Sequence, residues 1–367
     1  MIMTRWLFGD RAGSLPEPLQ AAKSLELPAP GAMPSPRPAP FSERMLRGEI
    51  ADLLATKQSA RAIRALIDAL PGIHLAGFNI KEKLSNLLFL SRTIQDHGGA
   101  KYGHAKLRSK VRSVTGFLKG YDLPVGGFVE LGCGAHDPIG LSTYFYLNGF
   151  EPACGVDLLE PRVPEFSALS MYDILANMKL FPQRYCWRGT QPADLAARID
   201  TIDVECFEQG DFDGGLASMD GKVRLIAEDL LECDLHRGSL ALLCSFAVLE
   251  HVTDLGGIFD RCLELLAPGG ISYHFIDMAD HRSYRGDGAF GPFSFLFETQ
   301  APANMNRLRA PQFAAAAQVA GFEVLVDRRI AGTMSDDDRT RLVAPFNAMA
   351  FDDVIITKQH LILRKPS

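Results

Sequence analysis

The run Gly127-Phe128-Val129-Glu130-Leu131-Gly132-Cys133-Gly134-Ala135 constrains this chain more than any other stretch. An apolar strand ends in an acid and passes into a tight glycine turn, and Leu141 to Asn148 beyond it reads as a helix. Gly132 and Gly134 let backbone approach a ligand where a side chain would clash. Asp157 stands 25 residues after Gly132 and closes a second apolar run, ACGVD. A carboxylate at the end of a second strand is placed to hold a pair of ribose hydroxyls. The two features together imply a nucleoside-type cofactor on an α/β sheet.

Strand and helix patterns alternate from Gly127 onward. Strands are expected at 127–131, 153–157, 223–227, 239–245 and 270–276, and helices at 139–148, 255–266 and 311–320. Gly321 to Asp327 and Lys358 to Arg364 read as two closing strands. The expected fold is therefore α/β, a seven-stranded mainly parallel sheet with helices on both faces. A helical N-terminal extension and an inserted lid-like segment are added to it. Residues 1–41 form a Pro-rich flexible arm, because Pro28, Pro30, Pro34, Pro36, Pro38 and Pro40 exclude helix and central strand. Residues 42–122 form the extension, with apolar residues at helical spacing and a last helix from Ala105 to Leu118. Residues 123–367 form the cofactor-binding domain. Two stretches interrupt its alternation: an insertion at 159–222, helical over 165–180 and loop-like over 210–221, and an irregular substrate segment at 278–310.

Composition excludes several classes. At 47% hydrophobic and 22% charged residues the chain is an ordinary globular one. Its net charge of −6 argues against nucleic acid as an obligatory partner. No stretch has the length of a membrane span, and the N-terminus lacks the apolar core of a signal peptide. Seven scattered cysteines without a CxxC pair imply a reduced, cytoplasmic protein without structural zinc.

The third glycine of a dinucleotide-binding turn is replaced here by Asp137, whose charge would repel a pyrophosphate. A cofactor without phosphates fits better. Asp229, in Ile226-Ala-Glu-Asp229 after the third strand, can meet an adenine amine. With ELGCG (130–134), GVD (155–157), AED (227–229), SFAVLEHV (245–252) and LLAPGG (265–270) in this order, the chain resembles the class I S-adenosylmethionine-dependent methyltransferases. GCGAHDPIGLSTYFYLNG, NRLRAPQF (306–313) and the terminal QHLILRKP look like a bacterial subgroup concerned with saccharide or secondary-metabolite modification. The resemblance implies S-adenosyl-L-methionine as cofactor, with Gly132, Cys133 and Gly134 at its amino-acid end and Glu130 helping to anchor that end. It implies Asp157 and Leu158 at the ribose, Asp229 and Leu230 at the adenine, and Ser245 and Phe246 lining the site. Cys133 is expected as turn filler, not as a nucleophile.

A hydroxyl acceptor profits from a base that takes its proton. His251 in LEHV and His281 in DMADHR follow the fourth and fifth strands, at the edge where open α/β sheets place ligands. Asp280 could orient His281. His251 could equally cap a helix or pack under the cofactor, and His281 could lie on an exposed loop. Asp277 and Asp280 with His281 lack a diagnostic metal spacing, and no metal is expected. Arg307 and Arg309 either line an acceptor pocket or tie the irregular segment to the sheet. Tyr172 and Trp187 either stack on a sugar or ring or pack in the core. The basic stretch Lys101 to Arg112 could cover the cofactor or meet an anionic acceptor, and reads first as a solvated helix face. The expected reaction is O-methylation of a saccharide or natural-product hydroxyl. The alternatives are N-methylation of a small metabolite and a non-catalytic cofactor-binding subunit. The expected partner is a small-molecule acceptor, not nucleic acid or membrane, and the oligomeric state is open between monomer and homodimer.

Overall fold

The computed structural model describes residues 105–134, 137–158, scattered positions of 167–180, and 181–367 apart from 188, 209–210, 286–287 and 303. It also describes a two-stranded hairpin, His74–Leu75 with Phe78–Asn79. The Pro-rich arm, the other expected helices of the extension and Tyr172 lie outside the described residues.

Seven strands form one sheet: β1 (Gly127–Leu131), β2 (Ala153–Val156), β3 (Val223–Ile226), β4 (Leu240–Phe246), β5 (Leu266–Asp277), β6 (Glu323–Ala331) and β7 (Ile356–Arg364). Their order is β3-β2-β1-β4-β5-β7-β6, and only β7 runs antiparallel to its neighbours. The order reverses direction between β1 and β4, which leaves a crevice at their carboxyl ends. The central strands are almost wholly apolar, since helices cover both faces.

On one face lie α1 (Ala105–Leu118) and α2 (Gly140–Leu147). Phe145 of α2 stacks on Phe128 of β1 at 4.1 Å. α1 buries Leu107, Val111, Val114 and Leu118 at helical spacing. Its Ser113 hydroxyl meets the Tyr273 hydroxyl at 2.7 Å, Tyr273 meets His360 Nδ1 at 2.9 Å, and Phe117 stacks on His360 at 4.4 Å. On the other face, α3 (Leu255–Leu265) and α4 (Ala310–Val319) close the main core around Leu243, Phe259, Phe313 and Leu361. Asp254 starts α3 by accepting the Gly257 N–H at 2.9 Å.

Every residue of α2 is buried, so it needs apolar or paired partners on all sides. The described part of the 159–222 insertion supplies them. Trp187 packs against Phe145 and Phe150, its N–H donates to Asn148 Oδ1 at 2.7 Å, and Arg198 donates to the Tyr146 and Leu147 carbonyls. This part braces the end of α2 remote from the glycine turn, and Trp187 belongs to the core. Ser167, Met171, Ile174, Leu175 and Met178 are helical and buried, as their spacing predicts. The loop expected at 210–221 contains a short helix instead, Phe212–Ala217, because Asp211 caps it and Gly215 admits the Phe207 ring, which would lie 2.3 Å from an added Cβ. Among the described residues no helix is long and apolar enough to cross a membrane.

Arg309, expected at an acceptor pocket, belongs to the frame. It is fully buried and donates to the main-chain carbonyls of Met278, Val354 and Ile356, joining the end of β5 to the entry of β7. Burial pushes its guanidinium down to about 10, so it stays charged at neutral pH. Arg307 likewise donates to the Phe295 and Glu298 carbonyls and lies over Phe346. Arg309→Met orphans three buried acceptors, which is expected to cost about 3 kcal/mol; urea unfolding with the wild-type slope retained checks this.

Candidate active site

The glycine turn is shaped by backbone contacts on three sides. The Gly132 N–H donates to the Val156 carbonyl at 2.8 Å, with φ +67°, and a Cβ there would lie 2.3 Å from Val248 Cγ2. Gly155 of β2 faces the Pro138 carbonyl, 2.1 Å from where a Cβ would stand. Gly134, at φ +85°, donates its N–H to Asp157 Oδ2 at 2.8 Å. A Cβ at Gly134 would meet nothing within 4 Å, so this residue borders open space. Asp157 continues the β2–β3 pairing by donating its N–H to the Ile226 carbonyl at 3.0 Å.

Beneath the turn, Glu130 is fully buried and paired with Lys110 of α1. Burial works against the Lys110 charge, but the Glu130 carboxylate more than offsets it, and the ammonium titrates above its ordinary value. Lys110 also lies 5.4 Å from the Phe246 ring centroid. The basic stretch is therefore not merely a solvated face. Burial pushes the Cys133 thiol well up, so it stays protonated filler. Asp137 Oδ2 lies 2.5 Å from where a Cβ on Gly140 would stand, so a carboxylate already occupies the space before the first turn of α2.

The remaining expected cofactor contacts divide. Asp229 is half-buried and accepts the Leu231 N–H at 3.0 Å in a turn of its own, and Leu158 is exposed. Leu230 points into the core, 1% exposed, and not into the crevice. Ser245 is fully buried as well: its hydroxyl meets His274 Nδ1 at 2.8 Å, and His274 Nε2 meets Ser272 at 2.7 Å. Burial pushes His274 down to about 3, so this relay is neutral and structural. Phe246 packs edge-on against Tyr273 on the α1 side. The next residue, Ala247, has φ +55°, a left-handed conformation that costs about 1–2 kcal/mol without glycine.

That bend leads into the short turn Leu249–His251 and a cluster of polar groups. Glu250 is 1% exposed, accepts the Asp277 N–H through Oε1 at 3.3 Å, and stands 3.9 Å from His281 Nε2. Burial pushes its carboxyl up to about 8. Glu250 Oε2 and His281 Nε2 are both buried without a hydrogen-bond partner. His251 Nδ1 donates to the Asn304 carbonyl, burial holds its pKa low, and its ring meets that of His281 edge-on at 4.9 Å. One ligand atom from each of Glu250, His251 and His281 lies within 4.8 Å of the others, the one such group among the described residues. Asp280 does not orient His281: both its oxygens face Arg282, at 2.6 Å to Nη2, and Arg282 reaches on to Glu298. Asp277 accepts the Tyr284 hydroxyl at 2.7 Å instead of joining a metal group with Asp280.

No protein-family model matches the chain, and no curated protein matches it. Among solved structures it is similar to an S-adenosylmethionine-dependent methyltransferase from Mesorhizobium loti, at 16% identity over 70% of this chain and 99% of that one, TM-score 0.38. It is also similar to geranyl diphosphate C-methyltransferase from Streptomyces coelicolor A3(2), at 13% identity over 71% and 81%, TM-score 0.39. A third is the [4+2]-cyclase SpnF, at 14% identity over 69% and 80%, TM-score 0.36. The seven-stranded, mainly parallel sheet itself agrees with the fold class expected from the sequence.

Asn306 escaped the sequence reading as a site residue. Its side-chain amide donates to the Leu249 and Val252 carbonyls at 2.7 and 2.9 Å, while its N–H donates to the Glu250 carbonyl at 2.9 Å. It clamps the turn that carries Glu250 and His251. The only sequence signal was its place in NRLR, just before two arginines that drew attention first.

The raised Glu250 carboxyl has a defined effect on stability. Between pH 4.5 and about 8 the folded protein holds a proton that the unfolded chain has released, so this residue's contribution falls as pH rises through that window. The buried histidines act in the opposite sense at lower pH. Glu250→Gln removes only the first effect, so urea unfolding should show the variant gaining on the wild type from pH 5 to pH 8; a constant difference would contradict the assignment.

Proposed function

We propose that this chain is an S-adenosylmethionine-dependent methyltransferase acting on a hydroxyl of a small molecule, a saccharide or natural product. The observation that carries the reading is the cradle at Gly134: a left-handed glycine beside open space, tied by its amide to Asp157. Bound there, the cofactor would supply a sulfonium methyl that an acceptor oxygen could attack in line, with the thioether as leaving group. Gly132 and Gly134 admit its amino-acid end. Lys110 and Glu130 together offer that end one charge of each sign. The Asp157 carboxylate, held beside the turn by the Gly134 amide, takes the ribose hydroxyls. Asp229, with one oxygen engaged in its turn, presents the other toward the adenine. Asp137 at the start of α2 leaves no place for a pyrophosphate, which weighs against a nicotinamide dinucleotide.

Glu250, His251 and His281 face the acceptor. An amine acceptor needs positioning alone, whereas a hydroxyl must lose its proton, and a buried acid with two imidazoles suits the second case. Residues 123–367 are the catalytic domain, and the extension contributes through α1 and Lys110. The irregular segment 278–310 supplies the acceptor side. The protein acts on a dissolved small molecule in the cytoplasm.

Calorimetry with S-adenosylmethionine, S-adenosylhomocysteine and NAD tests the cofactor. Both sulfur compounds should bind, and Asp157→Ala should weaken them by at least tenfold, about 1.4 kcal/mol. Binding of NAD alone would sink the reading. His281→Ala should slow turnover at least a hundredfold while leaving cofactor affinity within twofold of wild type.

A further inference from the structure

We propose that Glu250, His251 and His281 bind one divalent first-row transition-metal ion at the carboxyl edge of β4 and β5. The first support is placement. The three donor atoms come from the turn after β4 and the turn after β5, and already lie within 4.8 Å of one another. Bonds of about 2.0–2.2 Å set neighbouring ligands roughly 3.3 Å apart, so the separations need close by at most about 1.5 Å.

The second support is the state of the donors. The Asn304 carbonyl can only accept, so His251 Nδ1 carries the hydrogen and Nε2 carries the lone pair. Metal-bound histidines show this arrangement, the far nitrogen donating to a carbonyl that fixes tautomer and ring plane. Glu250 is fixed in the same way: Oε1 accepts the Asp277 N–H, while Oε2 is left free to coordinate. His281 Nε2 is also buried without a partner and faces Glu250. Glu250 Oε2 and His281 Nε2 are thus both buried and unpartnered, which is costly, and His281 Nε2 stands 3.9 Å from Oε1, beyond hydrogen-bond reach. A cation between them would satisfy both.

The third support is chemical type. Two imidazoles and one carboxylate suit zinc, iron, cobalt or manganese, and disfavour magnesium and calcium, which prefer oxygen alone. Three protein ligands leave at least one position open, as in catalytic sites. The site's use rests on the proposed methyl transfer. Held at the open position, the acceptor hydroxyl loses its proton to solvent, and its oxygen pair then forms the O–CH3 bond as the S–CH3 bond breaks and the sulfonium becomes a neutral thioether.

Untagged full-length protein, stripped with chelator and dialysed, is titrated with Co2+ and with Zn2+. Expected are one saturable equivalent and visible cobalt absorption bands, with affinity lowered at least tenfold in His281→Ala and in Glu250→Gln. His281→Ala guards against a misfolded Glu250 variant, because His281 is partly exposed, and circular dichroism checks both. His236→Ala, an exposed histidine elsewhere, should bind as wild type does. Absence of a saturable equivalent in folded wild type, or unchanged affinity in both variants, would overturn the proposal. The same samples are titrated with S-adenosylmethionine. Metal binding without cofactor binding would leave the site standing and sink the methyltransferase reading; cofactor binding without metal would do the reverse.

Discussion

Three segments meet at the carboxyl edge of the sheet with no room for a side chain at Gly132 or Gly155, and the rest of the site hangs from that meeting. The turn after β1 donates its amides to Val156 and Asp157, Gly155 lies under the Pro138 carbonyl, and Val248 presses on Gly132. A methyl group at Gly132 or Gly155 would push these segments apart, since real Cβ atoms do not approach within 3.0 Å of a neighbour. With them held close, the acids after β1, β2 and β3 share one rim with the turn carrying Glu250. Ala247 carries the strain of that bend, which aims the polar turn at the crevice instead of continuing β4.

The two faces of the sheet are built by different means. The face under α3 and α4 is an apolar core with one neutral Ser–His–Ser relay inside it. The face under α1 holds Glu130, Lys110, Tyr273 and His360 in contact with aromatic rings. A buried ion pair gains little or nothing in stability over apolar packing, because desolvation offsets attraction. Its persistence beneath the glycine turn is better understood through what it joins. Lys110 couples the last helix of the extension to the residue that ends β1, so the extension is part of the site's electrostatics.

Much of this was legible in the chain. The strand at 127–131 and the one expected at 153–157, which ends at Val156, followed from short apolar runs bounded by glycine and acid, and α1 was placed to the residue. What failed did so for physical reasons. At 210–221 glycines and aspartates read as loop, but Asp211 and Gly214 form a helix cap, and Gly215 serves packing against Phe207. Arg307 and Arg309 left pocket lining and a structural tie equally open; the tie is what stands, made through main-chain carbonyls, which leave no mark in sequence. Ser245 stands at the right end of β4, but strand alternation turns it to the side of His274, away from Lys110 and Phe246. Lys110 was hidden among other basic residues, and only the helix phase separates it from them.

The side proposed to take the acceptor is assembled differently from the side proposed to take the cofactor. Regular strands and their glycine turn position Gly134 and Asp157, whereas Glu250, His251 and His281 depend on chain that has no repeating pattern. Asn304 fixes one imidazole, Asn306 clamps the turn beneath it, Arg307 ties the segment to itself through two main-chain carbonyls, and Arg309 ties it to the ends of β5 and β7 through three. Irregular chain of this kind can vary in sequence without disturbing the strands, which is how one fold serves many acceptors. Here it is made rigid by buried hydrogen bonds instead of by secondary structure. Three side chains from two turns can therefore be held within 4.8 Å of one another without a helix or strand to set their spacing.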